Sequence, residues 1–180
     1  MGSSPPVLTV TGTLPLAASS FAVVDGTASC PTASGAYGVA YAAMIASDQP
    51  GICGYLQRNQ TKASARSVEL AVVRVDPSMP TTSLTTGTYP VVANPTVENA
   101  YAFVLVSQSD AACNPADVTV TGGSVVVSSI SNGRLQGTID ATLSDGGTIT
   151  GSFDAPACAV TFGGNVCTGD IGPVSPTCGP

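Results

Sequence analysis

Histidine and tryptophan are both missing from these 180 residues, and each absence removes a kind of chemistry. Without histidine there is no Ser-His-Asp or Cys-His relay, no imidazole metal ligand and no general base poised near neutrality. Without tryptophan, and with aromatics at 5%, a carbohydrate-stacking platform is poorly supplied. Charge is scarce as well: Asp, Glu, Lys and Arg make up 9% of the chain, against ~25% in an average soluble domain. Five basic residues stand against eleven acidic ones, a net charge of -6, which repels phosphate backbones and argues against nucleic acid as a partner. No apolar run approaches the ~20 residues of a spanning helix, and the longest, Ala36 to Ala46, is about half that. The chain also lacks a P-loop, a dinucleotide fingerprint and a Gly-x-Ser-x-Gly elbow. Nothing in it points to a cofactor.

What fills the chain instead is Thr, Ser, Val, Ala and Gly. Threonine and valine suit a half-buried pleated surface, so the composition favours sheet. Six cysteines stand at 30, 53, 113, 158, 167 and 178, none of them in a CxxC pair. Those spacings fit poorly with a zinc site and well with three disulfides formed in an oxidising compartment. The expected pairing is Cys167 with Cys178 as a local clasp and Cys53 with Cys158, which leaves Cys30 with Cys113. Met1 is followed by Gly-Ser-Ser-Pro-Pro, which is no signal peptide. A small, polar, proline-containing segment of this kind also follows the lipidated cysteine of bacterial lipoproteins, so Met1 is expected to stand where that cysteine would be.

Along the chain, period-2 alternation recurs. Val7 to Leu14 alternates apolar residues with Thr9, Thr11 and Thr13, the pattern of a strand with one polar face. Phe21 to Val24 and Thr27 to Cys30 flank Asp25-Gly26, which predicts a short hairpin. Tyr37 to Ile45 reads as another strand. One short helix is expected over 49–57, capped by Ser47 or Asp48, with Cys53 on its apolar side. Ser67 to Val75, Tyr89 to Ala93 and Asn99 to Gln108 follow as strands. Val118 to Ile130 is long, and Gly122-Gly123 predicts a bulge or bend within it. Asn132-Gly133 and Asp145-Gly146 then join Arg134 to Leu143 and Thr148 to Asp154 in a meander, and Ala159 to Phe162 is a candidate last strand. The expected fold is all-β, an antiparallel β-sandwich or flattened barrel of about nine or ten strands with one helix, stabilised by disulfides. Residues 1–6 read as a flexible leader, 7–162 as the sandwich and 163–180 as a Gly/Pro-rich, disulfide-clasped tail.

Candidate chemistry is thin. Asp140 and Asp154 lie on the polar faces of adjacent expected strands and are the one carboxylate pair a glycan hydrolase could use. Asp110, Asn114 and Asp117 could converge on calcium, although an ordinary Asx-rich turn braced by Cys113 is the favoured reading. Arg58, Lys62, Arg66 and Arg74 could form an anion-attracting patch or merely solubilise an apolar region. Tyr37, Tyr41, Tyr55, Tyr89 and Tyr101 could offer a sugar-stacking face, but their apolar periodicity favours core. Asn59-Gln60-Thr61 is a sequon, meaningful only in a eukaryotic secretory host.

Three stretches carry a resemblance: Asp48-Gln-Pro-Gly-Ile-Cys-Gly-Tyr-Leu, Gly87-Thr-Tyr-Pro-Val, and the run from Gly137 through Asp145-Gly-Gly to Cys158. In this order they resemble a loose group of uncharacterised, lipoprotein-like exported proteins of myxobacteria and related bacteria, over about Tyr41 to Cys158. The resemblance implies a cell-surface or periplasmic β protein and carries over no catalytic residue. Cys30, Cys167 and Cys178 fall outside the shared pattern. The functional expectation is a non-enzymatic protein of the bacterial surface or periplasm, anchored by lipid, that binds an envelope protein, self-associates or helps build the envelope. Two alternatives stand beside it: a filament or layer subunit that donates Val7 to Leu14 to a neighbour's sheet, and the carboxylate hydrolase.

Overall fold

Alternating apolar residues produce strands whose two faces meet different surroundings, and the pairing of those strands fixes the architecture. The computed structural model describes residues 7–78, 82–93, 99–160, 167 and 177–179. They form β1 Leu8–Val10, β2 Leu16–Ala17, β3 Ser20–Thr32, β4 Gly35–Ser47, α1 Ile52–Gln57, β5 Gln60–Lys62 and β6 Arg66–Asp76. There follow β7 Gly87–Pro90, β8 Ala100–Ser109, β9 Pro115–Ser131, β10 Arg134–Leu143, β11 Thr148–Ala155 and β12 Thr177–Gly179. Ten of these strands make one open sheet, in the order β2-β1-β11-β10-β9-β8-β6-β4-β3, with β7 also on β9. Every pairing within it is antiparallel, while β12 and β5 form a separate parallel pair.

The sheet folds over at β9. Residues Pro115 to Thr119 pair with β8, whereas Val120 to Ser131 pair with β10. Two layers result, β3-β4-β6-β8 and β2-β1-β11-β10-β7, with β9 shared between them. Between them lies one core, in which Met44, Leu70, Val72, Val104 and Val106 of the first layer meet Leu8, Val125, Leu135, Ile149 and Phe153 of the second. The bend comes where the sequence places it. The register slips at Thr142/Leu143, opposite Val120 to Gly122, and Gly123 has φ 133. A Cβ at Gly123 would lie 2.3 Å from the Asp140 carbonyl oxygen, so this corner needs glycine.

The layers' outer faces differ. Across the second run Thr9, Thr150, Asp140 and Ser124, each opposite the next, a hydroxyl-rich row with one carboxylate, consistent with the low charge. Across the first run Val24, Ala43, Ala71 and Phe103, then Gly26, Tyr41, Val73 and Tyr101. This face is apolar. The helix covers one part of it, since Ile52 and Leu56 pack with Ala22, Val24 and Ile45. Near its other end Cys167 packs beside Cys30, and the Tyr37 hydroxyl donates to the Cys167 carbonyl at 3.4 Å.

Several expectations need correction. Val7 to Leu14 is not one strand: β1 stops at Val10, Gly12 takes φ 107, and β2 turns back along β1. Asp25-Gly26 is no turn, because β3 pairs with β4 without interruption and reverses only at Ala33-Ser34. Gly26 is extended and faces Tyr41, whose hydroxyl would sit 2.8 Å from an added Cβ. The cross-strand ring occupies the space a side chain would need. By contrast Asn132-Gly133 turns as expected, with φ 51 and 71. The helix is shorter than expected, and neither Ser47 nor Asp48 caps it. Its N-cap is Gly51, and the Ile52 amide donates to the Ser20 hydroxyl. Ser47 and Asp48 instead fasten β6: the Ser47 hydroxyl donates to the Arg66 carbonyl, and the Arg66 amide donates to Asp48.

Of the expected disulfides, Cys53–Cys158 forms. The other two partnerships are exchanged, as Cys30 bonds Cys167 and Cys113 bonds Cys178. There is therefore no local clasp. Cys167 is held on the outer face of the first layer, and Cys178, within β12 and opposite Thr61 of β5, is held to the β8–β9 loop. After β11, Ala157 makes a single bridge to Val23 and the described residues of 159–162 form no strand; 161–162 lie outside the described residues, as does most of 163–180.

Candidate functional site

Among the described residues a concave, polar feature lies at one end of the first layer. Arg66 opens β6 and Gln108 is the next-to-last residue of β8, and the two are direct partners on the inner face. The Arg66 Nε donates to Gln108 Oε1 at 3.0 Å, and Nη1 donates to the Pro15 carbonyl at 2.8 Å. The guanidinium thus spans from one layer to the β1–β2 turn of the other and closes the end of the core. Beside it Asp48, Ser64, Ser109 and Asp110 complete the lining of a cavity of about 330 Å³. Ser109 is buried; its hydroxyl donates to the Lys62 carbonyl at 2.6 Å and accepts the Ala65 amide. Asp110 accepts the Ala112 and Asn114 amides and the Asn114 side-chain nitrogen. Those bonds, led by the Asn114 side chain, hold its carboxyl below the usual range. Such a pocket can accept and donate hydrogen bonds. It contains no nucleophile set against a base.

The candidates read from the sequence separate in space. Asp140 lies opposite Thr150 and Asp154 opposite Gln136. Four residues of strand part them, about 13 Å, on a flat outer face. Asp154 is instead bound by Arg134 through two side-chain nitrogens, which lowers its pKa. The calcium constellation does not form either: Asn114 turns its donor toward Asp110, and Asp117 accepts the Ser107 hydroxyl. Among the described residues no group of His, Cys, Asp and Glu is placed to hold a metal.

The four cations do not make one patch. Arg58 and Lys62 each stack on the Tyr55 ring at 4.9 Å, Arg66 closes the core end, and Arg74 points to Ser83 at the far end of β6. Nor do the tyrosines make one face. Tyr89 is buried and donates to the Thr85 carbonyl, while Tyr37, Tyr41 and Tyr101 cluster on the first layer. Burial, helped by Tyr37, raises the Tyr101 pKa.

One residue escaped the sequence reading. Glu69 sits on the apolar outer face between Ile45 and Leu105. Its tip reaches solvent, but crowding by that face raises its pKa, and the charge of Asp117 adds to the effect. The signal was present as a single carboxylate within the apolar run Val68 to Val73.

These features define a disulfide-braced, two-layer β-sandwich with one apolar and one threonine-rich outer face. No protein-family model matches the chain, and no curated protein or solved structure does. No helix among the described residues is long and apolar enough to cross a membrane.

Proposed function

We propose that this protein is exported to the surface or periplasm of a bacterium, is held there by a lipid anchor, and acts by binding or by building the envelope rather than by catalysis. The observation that supports this most is the set of three disulfides. They bridge 65, 105 and 137 residues of chain, and long-range bonds of this kind persist where thiols are oxidised. The threonine-rich face and the polar cavity at Arg66 suit recognition by hydrogen bonds rather than by charge. The resemblance of residues 41–158 to lipoprotein-like proteins adds the anchor. Neither alternative gains support. Leu8 and Val10 are buried in the protein's own core, so β1 is no free donor strand, and the only carboxylate pair named for hydrolysis is split.

The test is fractionation of cells that express the full-length gene, followed by pull-down from native envelope. The protein should enter the detergent phase with envelope lipoproteins, carry no free thiol and retain an envelope partner or a second copy of itself. A cytosolic protein with six titratable thiols would overturn the reading.

A further inference from the structure

We propose that the cavity at the end of the first layer binds a small zwitterion of the α-amino-acid type, its ammonium held by Asp48 and its carboxylate by Arg66 and Gln108. The inference rests on the reading of this protein as one that binds rather than catalyses, and names the ligand class of that site. Its test uses the purified chain, so it holds or fails apart from the compartment and the anchor proposed above.

The cavity is built in advance of any ligand. The Asp48 amide donates to the Arg66 carbonyl at 3.2 Å, and the Arg66 amide donates back to Asp48 Oδ1 at 3.0 Å. Beside them the Ser64 amide donates to the Asp110 carbonyl at 3.0 Å, and the Ala65 amide donates to the Ser109 hydroxyl at 3.1 Å. The Arg66 side chain is itself fixed, through Nε on Gln108 and Nη1 on Pro15. Walls held in this way lose little conformational freedom when a ligand arrives. Four polar atoms of the lining bond to nothing else among the described residues: Asp48 Oδ2, Ser64 Oγ, Arg66 Nη2 and Gln108 Nε2. Every buried side-chain nitrogen and oxygen among those residues has a partner, so these four are open to solvent.

Charge complementarity selects the ligand. Asp48 and Arg66 bring opposite charges to one cavity, yet their side chains form no salt bridge; among the described residues that bond joins Arg134 to Asp154. Each charge therefore lacks an ionic partner. Asp48 Oδ2 can only accept, whereas Arg66 Nη2 and Gln108 Nε2 can only donate. A molecule with a cationic donor at one end and an anionic acceptor at the other answers both, through charge-assisted bonds, the stronger kind. A simple anion would meet the carboxylates of Asp48 and Asp110, and a simple cation would leave Arg66 unanswered. A neutral polyol would leave both charges uncompensated. Asp110 already accepts three donors, and its charge favours the ammonium end. The Ser64 hydroxyl can serve either end. The ligand has no net charge, in keeping with recognition by directed hydrogen bonds. A volume of about 330 Å³ lies at the small end of ligand sites and suits an amino acid.

Amide chemical shifts of the purified full chain, followed during titration with glycine, test this. The Asp48, Ser64, Ser109 and Asp110 amides should move together and saturate at millimolar glycine. Acetate and methylammonium, each carrying one of its two ends, should bind at least about tenfold more weakly, and so should methyl glucoside. Two near-isosteric variants probe the ends separately. Asp48→Asn keeps the oxygen that accepts the Arg66 amide and turns the other acceptor into a donor. Gln108→Glu keeps the oxygen that accepts Arg66 Nε and sets an anion before the ligand carboxylate. Each should weaken glycine at least about tenfold, while circular dichroism and the melt stay close to wild type. The comparison of ligands on wild type stands even if a variant fails to fold. Shifts that never saturate would overturn the proposal, as would acetate, methylammonium or methyl glucoside binding as tightly as glycine. So would folded variants that both bind glycine like wild type.

Discussion

Replacing Cys53 and Cys158 together by alanine tests how much of the stability resides outside the core. The bond joins α1 to the segment after β11 and closes 105 residues of chain. Because Cys30–Cys167 encloses it and stays in place, the loop it closes in the unfolded chain runs only from Cys53 back to Cys30 and from Cys167 back to Cys158, and the bond removes about 12 cal/mol/K of entropy, or about 3.7 kcal/mol at 25 °C. For a domain of this size 1 kcal/mol moves Tm by about 2–4 °C, so the variant should melt about 7–15 °C lower. Urea unfolding should show a lower midpoint and a steeper slope, since the uncrosslinked chain exposes more surface when it unfolds. The variant must also titrate with no free thiol, because its remaining four cysteines pair as Cys30–Cys167 and Cys113–Cys178. Two reactive thiols would show that Cys53 and Cys158 pair elsewhere. A loss under about 1 kcal/mol in a correctly folded variant would refute the chain-entropy reasoning itself.

Three further outcomes follow from side chains in place. Glu69 has a raised pKa in the folded state, so its contribution is fully present below the unfolded value of 4.5 and is lost as pH rises through the folded value. Glu69→Gln should therefore gain stability relative to wild type at pH 7 and flatten the decline above pH 4.5 in a series of melts; an unchanged pH profile would count against it. Asp145 behaves oppositely: bonds from the Thr13 side chain and amide and the Gly147 amide lower it from 3.8 to about 2. Its contribution is lost as pH falls through that window, and Asp145→Asn should remove this part of the acid transition while loosening the β1–β2 turn, visible as faster exchange at Thr13. At the β9 corner Gly123→Ala should destabilise by at least ~1–3 kcal/mol, whereas Gly122→Ala, with nothing within 4 Å of its Cβ position, should be mild; equal effects would contradict the close approach of Asp140.

The strands and the bend were legible because they depend on period-2 alternation and on glycine pairs, both local properties. Asp25-Gly26 and Asp145-Gly146 carry the same dipeptide, yet only the second turns, with φ 85 at Gly146. The difference is Tyr41, opposite Gly26 on β4, a fact of pairing that no local window contains. The separation of Asp140 from Asp154 is of the same kind: both faces were read correctly, and the four-residue offset came from register. Cys167 and Cys178 read as a clasp because they are near in sequence. In the fold each is taken by a distant partner, since the surface to be secured belongs to the first layer and not to the tail.

That surface explains where the disulfides fall. The second layer turns threonines outward and needs no cover. The first layer's β6 holds Val68, Leu70 and Val72 inward and Ala71, Val73 and Val75 outward, the near-continuous apolar run of a strand buried on both faces. Its outer face must be covered, and the cover is α1 and the chain at Cys158 and Cys167. The helix has only six residues, too few to be stable alone. Cys53–Cys158 fixes the helix against that face, and Cys30–Cys167 fixes the later chain at the other end. Reduction should therefore release the cover of the first layer before it disturbs the core between the layers, with Tyr41 and Tyr101 gaining exposure while Tyr89 stays buried.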